Sequence, residues 1–395
     1  MILLVNSIAW FVAVVVSVPL IVLAMQCILA LLPSRKPIRG QRRRVAVLIP
    51  AHNEAAMIAC TIEAIRPQLH QQDRLVVVAD NCTDETAPIA RQAGAEVVER
   101  NDIHRRGKGF ALDAGVRFLE QDPTDVVIVI DADCEADAGM MDELARAVDG
   151  TGRPIQALYL MGFAPHSGPE AMVSVFAFLV KNWVRARAQQ RLSIPVLLTG
   201  SGMAFPWEIL RQASLANDEI VEDLALGLKL TQQGFGPQFC ESVKIWSQLP
   251  TNAGAAVSQR TRWEHGYLNT ILHYVPRLVV QAFKGRFDLF LVALDLAVPP
   301  LSLLVLMSAL ACAVEFLLAL ATGTWLPFWI LLGAGGLAAL GIIVCWWRFA
   351  RQLIPFKMLA SIPRYVVGKI GIYRRFFGNR QTQWVRTERD GESSK

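Results

Sequence analysis

The sequence predicts an α/β domain with a mostly parallel, Rossmann-like sheet, flanked by transmembrane and interfacial helices. Within residues 45–267, short β-rich runs alternate with helical stretches, which is typical of parallel sheets with right-handed crossovers. Long apolar stretches lie on both sides of that region, and the 395-residue chain is 53% hydrophobic and only 18% charged. A soluble domain carries more charge, so we expect part of this chain to lie in lipid.

The first apolar stretch, residues 1–34, has no charged side chain and is long enough for one transmembrane helix. It lacks the basic start and the small-residue cleavage site of a signal peptide. The loop after it carries the basic residues Arg35, Lys36, Arg39, Arg42, Arg43 and Arg44. Because basic loops favour the cytoplasmic side, we expect the N-terminus outside and the following domain in the cytoplasm.

The second apolar stretch, residues 289–347, has the length of two transmembrane helices and is followed by arginines. Residues 268–288 and 348–395 mix apolar and basic side chains, a pattern that favours helices in the membrane interface. Solvated helices packed on the domain are the alternative. We therefore expect a multi-pass protein of the inner (cytoplasmic) membrane, in contact with membrane lipid.

The predicted sheet region can be divided into strands and helices. Its strands are expected at Val45–Pro50, Leu75–Asp80, Glu96–Glu99, Val126–Asp131 and Ile155–Met161. Its helices are expected at about residues 54–66, 83–93, 107–120 and 137–148. Ligands of such sheets bind beyond the carboxyl ends of the strands, so polar residues at those ends are candidates for a site.

Composition argues against several other classes of protein. The seven cysteines form no CxxC pair and the six histidines no HExxH motif, so neither a disulfide framework nor a zinc site is expected. The net charge of +5 is mild, and no nucleic-acid partner is expected.

Asp131 and Asp133 directly follow an apolar predicted strand. Two close carboxylates repel each other unless a cation lies between them, and Mg²⁺ or Mn²⁺ could bridge this pair to a diphosphate. A plain turn is the alternative for such a pair.

Four further residues are candidates for a phosphate or nucleoside site. Asp80 ends a predicted strand, where its carboxylate could accept a hydrogen bond from a base or ribose. His52 and Glu54 follow the preceding strand. Lys108 opens a helix after a glycine, so it could neutralise a phosphate that the backbone approaches closely. Helix capping and a plain surface loop are the alternatives.

The second half of residues 45–267 contains a loop that could contact the acceptor sugar and a residue that could act as the base. The small-residue loop Leu198–Phe205, which contains Gly202, could let an acceptor sugar pass closely or could be a plain turn. Glu222 and Asp223 open a predicted helix, where carboxylates are electrostatically favoured in any case. In a cleft, Asp223 could instead take a proton from an acceptor hydroxyl.

Gln259, Arg262 and Trp263 are spaced so that a helix would present them on one face. An arginine suits a phosphate and a tryptophan suits the face of a sugar ring. The alternative is an amphipathic helix anchored at the interface by its tryptophan.

The order of these motifs resembles family 2 glycosyltransferases, and more narrowly the membrane-bound cellulose, chitin, hyaluronan and poly-N-acetylglucosamine synthases. The matching motifs are Pro50-Ala51-His52-Asn53-Glu54, Asp80, Lys108, Asp131-Ala132-Asp133, Glu222-Asp223 and Gln259-Arg260-Thr261-Arg262-Trp263. The resemblance covers about residues 45–267 and the flanking spans. It implies a GT-A fold and inverting transfer of a hexosyl or N-acetylhexosaminyl group from a nucleotide diphosphate sugar, with a UDP-sugar favoured.

The resemblance also implies a role for each matched residue. Donor-binding residues would be His52, Glu54, Asp80, Lys108, Asp131, Gln259 and Arg262. Asp133 and Asp131 would hold the Mg²⁺ or Mn²⁺ ion. The catalytic carboxylates would be Asp223, as the general base, and Glu222. Acceptor-binding residues would be Gly202 and Trp263.

The sequence leaves the acceptor open. One alternative is a growing polysaccharide, with polysaccharide-export proteins as further partners. The other is the addition of one sugar to a lipid or lipid-linked saccharide, because three spans are few for a synthase that threads a polymer through its own channel. A scaffold that has lost catalysis and a nucleotidyltransferase are more remote alternatives, since the acidic motifs are intact and a nucleotidyltransferase has no need of Trp263 beside the membrane.

Overall fold

The computed structural model describes residues 2–33, 35, 38–164, 167–217, 219–250 and 252–378. The chain divides into two compact units. The sheet unit contains Ser34–Pro165 and Ser193–Gly266, and the helical unit contains Met1–Pro33, His166–Leu192 and Tyr267–Arg380. The predicted catalytic region of residues 45–267 therefore ends almost where the sheet unit ends, but it also includes an insertion that belongs to the helical unit.

The strands of the sheet unit form one sheet in the order β3-β2-β1-β4-β7-β6-β8-β5. They are β1 (Val45–Ala51), β2 (Arg74–Asp80), β3 (Glu96–Arg100), β4 (Val126–Val129), β5 (Glu135–Ala136), β6 (Ile155–Gly162), β7 (Met203–Pro206) and β8 (Gln238–Gln248). Strands β3, β2, β1 and β4 run parallel to one another, whereas β7 is antiparallel to both of its neighbours, β4 and β6. The sheet is therefore mixed, and the predicted parallel order holds best in its first half.

The α-helices follow in chain order. They are α1 (Ile2–Leu31), α2 (Ile58–Ile65), α3 (Thr86–Gln92), α4 (Lys108–Leu119), α5 (Met140–Thr151), α6 (Pro169–Leu179), α7 (Ala186–Leu192), α8 (Trp207–Leu210), α9 (Glu222–Gln232), α10 (Ala253–Ala282), α11 (Phe287–Leu296), α12 (Leu301–Thr322), α13 (Leu326–Cys345), α14 (Ile362–Gly368) and α15 (Ile370–Gly378). Short 3₁₀ helices lie at Arg66–Gln68 and Phe356–Ser361, and π-helical segments at Val180–Arg185 and Trp346–Ala350.

The sheet unit is held by an apolar core on one face of its central strands. Leu48, Val76 and Val127 point into this core from β1, β2 and β4, and Phe205 joins them from β7. Their burial explains the near-continuous apolar runs of these strands, since a strand covered on both faces has no solvent side to alternate with. Because β2, β1 and β4 run parallel, their carboxyl ends lie at the same edge of the sheet.

The five predicted strands are confirmed, and their boundaries differ from the structure by no more than two residues at either end. The helices begin later than predicted. Helix α2 begins at Ile58, because residues 54–57 form a turn in which the Glu54 carbonyl accepts hydrogen bonds from Met57 N and Ile58 N. The polar residues at the strand ends thus belong to loops and are available to a site.

In the helical unit, three helices are long and apolar enough to cross a membrane: Leu3–Leu31, Leu301–Thr322 and Leu326–Ala350. This fits the three predicted spans and a membrane protein. The second span begins at Leu301 and not at residue 289, because α11 is a separate helix that ends before Pro299 and Pro300. Neither proline can donate a backbone hydrogen bond, which separates the two helices.

Two predicted interfacial segments also take a different form. Residues 268–288 do not start a new helix, since most of them continue α10, which began at Ala253 in the sheet unit. Of residues 348–395, the structure describes those up to Gly378, where α14 and α15 are short helices, and the remainder lies outside the described residues.

Candidate active site

The turn after β4 carries Asp131 and Asp133, and its shape is fixed from two sides. Thr61 on α2 donates a hydrogen bond to the Ala132 carbonyl at 2.7 Å, and Asp131 N donates to Ser201 Oγ at 3.0 Å. A carboxylate oxygen of each aspartate and the Cys134 thiol lie within 4.8 Å of one another. Burial raises the pKa of Cys134 well above its usual value, so the thiol stays protonated and the two carboxylates are the metal-binding candidates.

These carboxylates suit a hard divalent cation. Mg²⁺ and Mn²⁺ favour oxygen ligands, and both usually leave coordination positions to substrate phosphates or water. Burial raises the pKa of Asp131, and the nearby charge of Asp133 adds to this effect, while Lys108 opposes it. A bound cation would relieve the repulsion between the two side chains.

Lys108 places a positive charge beside the carboxylate of Asp131. It is the first residue of α4 and follows Gly107, whose φ of 131° lies in a region that favours glycine. Its ammonium group forms an ion pair with Asp131 and donates a hydrogen bond to the Gly200 carbonyl at 2.7 Å. Burial lowers the pKa of Lys108, but the charges of Asp131 and Glu222 more than offset this, so the pKa is raised and the lysine stays charged.

Glu222 and Asp223 are the first two residues of α9, and their charges act on the same lysine. Burial raises the pKa of the Glu222 carboxyl to about 7, and the like charge of Asp223 adds to the rise. Two adjacent carboxyls with one pKa near neutrality can hold and release a proton at physiological pH, as an acid–base group must.

Gly200 lies between these charged groups. A Cβ atom built on it would be 3.3 Å from Asp223 Oδ2, 3.5 Å from Lys108 Nζ and 3.8 Å from Asp131 Oδ2. Its φ of 95° again favours glycine. The loop of Gly200 therefore packs against these charged groups, and the acceptor role of the Leu198–Phe205 loop stays a prediction.

The prediction that Gly202 itself faces the acceptor is wrong. A Cβ atom on Gly202 would be 2.9 Å from Ile245 Cγ2 and 3.0 Å from Ala157 Cβ, which are buried core atoms. Gly202 thus faces the interior of the sheet unit. Both glycines have positive φ, so the sequence alone does not indicate which of them faces the cleft.

The loops after β1 and β2 also lie at the carboxyl edge of the sheet. His52 Nδ1 lies 2.6 Å from the Asp80 carbonyl, and Glu54 N donates to Thr86 Oγ1 at 2.8 Å. Asp84 accepts a hydrogen bond from Thr86 N at 3.0 Å, whereas Glu85, the residue before α3, makes no side-chain capping hydrogen bond. His52, Glu54 and Asp80 are therefore brought together.

Arg100, which sequence reasoning missed, holds the Asp80 carboxylate. Its guanidinium lies 2.5 Å from Asp80 Oδ1 and stacks over the Phe110 ring at 5.5 Å. Asp80 is only 6% exposed, and Asn81 also donates to it at 2.9 Å. The signal that could have found Arg100 is its place at the carboxyl end of β3, next to Asp80 in the register of the sheet.

Helix α10 carries Gln259, Arg262 and Trp263, which confirms the predicted helical spacing. One turn further on, a Cβ atom on Gly266 would be only 2.8 Å from Val221 Cγ1, the side chain that precedes Glu222. This close approach brings α10 next to the start of α9. Gln259 is 8% exposed and its Oε1 atom has no hydrogen-bond partner among the described residues. A ligand could satisfy that buried acceptor.

The sequence profile of the family described as "Glycosyltransferase like family 2" matches residues 42–266, more than half of the chain. The chain belongs to glycosyltransferase family 2. Among its relatives, it is 27% identical over 270 residues to the probable glycosyltransferase YdaM of Bacillus subtilis. That match covers 62% of this chain and 61% of the relative, which is less than two thirds of the relative's length.

A second relative matches more of the chain. The uncharacterized glycosyltransferase YaiP of Escherichia coli is 24% identical over 340 residues, or 83% of this chain and 81% of that protein. Among solved structures, the fold resembles the mannosyltransferase PcManGT from Pyrobaculum calidifontis in complex with GDP-Man and Mn²⁺. The TM-score is 0.58 at 18% identity, with 94% of this chain and 100% of that chain covered. The predicted GT-A fold is thereby confirmed, whereas the narrower likeness to cellulose and chitin synthases stays a prediction.

Proposed function

We propose that this chain is a metal-dependent glycosyltransferase that moves a sugar from a nucleotide diphosphate sugar to an acceptor hydroxyl with inversion at the anomeric carbon. One observation carries the proposal: Lys108 Nζ, Asp131 Oδ2 and Asp223 Oδ2 all lie within 3.8 Å of the position that a Cβ atom would take on Gly200, at the carboxyl edge of the sheet. A diphosphate, a cation and a proton acceptor are the elements that this reaction needs in one cleft.

The donor would lie across the carboxyl ends of β2, β1 and β4. Asp80, His52 and Glu54 are proposed to hold the nucleoside, because their loops are tied together beside the buried Asp80 carboxylate. Lys108 would bind the diphosphate. Gln259 and Arg262 are proposed to reach the same group from α10, where the buried Gln259 oxygen can accept a hydrogen bond.

Asp133, together with Asp131, would hold Mg²⁺ or Mn²⁺. The ion would supply charge stabilisation for the diphosphate that leaves. The structural neighbour from Pyrobaculum calidifontis was solved with GDP-Man and Mn²⁺, a donor and an ion of this class. A UDP-sugar remains the donor that the sequence motifs favour, and a GDP-sugar is the alternative that this neighbour suggests.

In the proposed reaction, Asp223 accepts the proton of the acceptor hydroxyl. The acceptor oxygen then forms a bond to the anomeric carbon while the bond from that carbon to the diphosphate breaks, and the nucleoside diphosphate leaves with the electron pair. Glu222 is the immediate neighbour of Asp223, and the charge of Asp223 helps to raise the pKa of the Glu222 carboxyl. Trp263 would carry the acceptor sugar on its ring.

The packing of the helical unit favours a lipid or lipid-linked acceptor over a long polymer. A Cβ atom on Gly341 of α13 would lie 2.9 Å from Cys27 Cβ of α1, and Ala24, Ala334 and Ala338 are also buried. Helices that approach this closely leave no room between them for a hydrated sugar chain. Extension of a polysaccharide would then need a passage away from the contact of α1 with α13, for example one supplied by partner proteins such as export components.

The test is donor hydrolysis and transfer by the purified protein. We expect release of nucleoside diphosphate from one member of a panel of UDP- and GDP-sugars, dependent on Mg²⁺ or Mn²⁺ and abolished by a chelator. Asp223→Asn should lose turnover by roughly a thousandfold or more while donor binding, measured by calorimetry, changes little. Asp133→Ala should weaken binding of metal and donor together.

Asp113→Asn is the matched control, because Asp113 is a half-buried residue of α4 whose ion-pair partner is the exposed Arg117. It should keep full activity. Near-normal turnover in Asp223→Asn would exclude the proposed base. Release of pyrophosphate in place of nucleoside diphosphate would indicate a nucleotidyltransferase, and donor binding without turnover would indicate a scaffold.

A further inference from the structure

The insertion of residues 167–192 joins the helical unit, although it interrupts the sheet unit in sequence. It consists of α6, the π-helical segment and α7, and it is rich in basic residues. These residues are Lys181, Arg185, Arg187 and Arg191. The chemistry of this segment is not used by the proposed transfer reaction.

Two of these arginines have defined partners. Arg185 is buried and forms an ion pair with Asp295 of α11 at 3.0 Å. Arg187 Nη2 donates to the Leu32 carbonyl at 2.7 Å, and its guanidinium lies over the Phe349 ring at 5.7 Å. Because Leu32 directly follows the apolar helix Leu3–Leu31, this hydrogen bond places α7 at the end of a candidate membrane span.

Arg191 lies one helical turn beyond Arg187, on the same face of α7. Its Nε and Nη2 atoms are buried and have no hydrogen-bond partner among the described residues. A guanidinium always carries its charge and offers a fork of donors. Leaving such donors buried and unsatisfied is unfavourable, so the site is suited to an acceptor that the chain itself does not provide.

The acidic residues of the helical unit do not provide that acceptor. The unit has four of them, Glu170, Asp288, Asp295 and Glu315, in its described part. Glu170 is paired with Arg364, Asp288 with Arg286 and Asp295 with Arg185, while Glu315 is buried within the span α12. The counter-charge for Arg191 must therefore come from outside this unit.

The surroundings of Arg191 indicate an anion with an apolar body. The neighbouring Leu192 is 49% exposed, and Leu31 and Leu32 at the end of α1 are 40% and 47% exposed. A phosphate can accept hydrogen bonds from the guanidinium group of Arg191. An acyl or prenyl chain can pack against the exposed leucines and the apolar helix α1. A free phosphate ion would use only the first of these two features.

We propose that Arg191, with Arg187 beside it, binds the phosphate headgroup of a membrane lipid at the end of helix α1. The site is independent of the transfer reaction, since it needs neither the donor nor the metal. Its occupant is a phosphate-bearing lipid, either a phospholipid or a prenyl phosphate, and the headgroup would satisfy the buried Arg191 nitrogens.

The test measures lipid binding and not activity. The purified full chain in neutral detergent receives phosphatidylglycerol, a prenyl phosphate, phosphatidylcholine or millimolar inorganic phosphate, and its melting temperature and retained lipid are recorded, the latter by native mass spectrometry. We expect one of the two anionic lipids to raise the melting temperature and to remain bound. Arg191→Gln should weaken this binding roughly tenfold, as expected for the loss of one charge-assisted contact.

Arg374→Gln is the matched control, because Arg374 is an exposed arginine of α15 in the same unit. It should bind lipid like the native chain, and Arg191→Lys should retain part of the binding as a point charge. Should Arg191→Gln fail to fold, photo-crosslinking of the native chain with a diazirine lipid must label residues 181–192. Equal lipid binding by Arg191→Gln, equal stabilisation by phosphatidylcholine, or displacement of the lipid by inorganic phosphate would each overturn the proposal.

Discussion

At the scale of single residues, the candidate site is a set of carboxylates held together by one lysine. Burial raises the pKa of both Asp131 and Glu222, and the charge of Lys108 opposes this rise in each case. Such an arrangement is costly for folding and is usually found where chemistry requires it. The same balance makes the site sensitive to pH.

The first prediction concerns the pH dependence of catalysis. The pKa of Glu222 is raised to about 7. Below that pH Glu222 holds a proton, and the site loses the negative charge that favours proton uptake by the base Asp223, so kcat/KM should fall by up to about tenfold per pH unit on the acidic side. In Glu222→Gln the like charge is removed, and the acidic limb should move to lower pH. A pH–rate profile that is identical in both proteins would contradict this.

The raised pKa of Glu222 also predicts how the stability of the fold changes with pH. The folded chain raises the pKa of Glu222 from 4.5 to about 7, so between these values the folded state binds more protons than the unfolded state. Stability therefore falls as the pH rises through this window. Without donor or metal, Glu222→Gln should raise the melting temperature at pH 8 and have little effect near pH 4.5. A lower melting temperature of the variant at pH 8 would show that the sign is wrong.

The second prediction separates two glycines of one loop. Gly200→Ala places a methyl group within van der Waals contact of Asp223 and Lys108, and should reduce turnover strongly. Gly202→Ala instead drives a methyl group against Ile245 and Ala157, and should lower the melting temperature more than Gly200→Ala does. Both changes share the strain of a positive φ, so each serves as the control of the other. Equal activity losses at equal stability would contradict the assignment.

At the scale of elements, helix α13 carries a stripe of small residues against α1. Ala334, Ala338 and Gly341 lie along one face of the helix, and Gly341 approaches Cys27 closely. In lipid no hydrophobic effect drives helices together, so close contact of small residues contributes much of their association.

This stripe provides the third prediction. Gly341→Leu should separate α13 from α1 and lower the melting temperature in detergent by several degrees or more. Gly333→Leu is the matched control on the same helix, because nothing lies within 4 Å of a Cβ atom built there. It should leave the melting temperature nearly unchanged. A similar loss in both variants would show that the stripe does not hold these helices together.

The elements also show where prediction from the sequence stops. The strands β1 and β2 were predictable because they are continuous apolar runs that end in polar residues. The helix starts were not, because Glu54 and its neighbours first form a turn and bond to the loop after β2. Local periodicity does not record such contacts between distant loops.

At the scale of the whole molecule, the apolar helices and the flanking basic residues predict an N-terminus outside and a cytoplasmic sheet unit. A reporter that is active only outside the cytoplasm should work when fused before α1, whereas a cytoplasmic reporter should work when inserted at Gly152, an exposed turn with positive φ after α5. The opposite pattern would place the sheet unit outside, away from cytoplasmic nucleotide sugars, and would contradict the proposed topology.

The sequence by itself determined the α/β class, the three apolar spans and the motif order of the family, because each is written in local patterns of hydrophobicity and spacing. Only the tertiary structure decided that Gly200 and not Gly202 faces the charged groups of the candidate site, that Arg100 binds Asp80, and that residues 167–192 join the helical unit. These features depend on which distant segments pack together, and a contact between distant segments leaves no periodic trace in the chain.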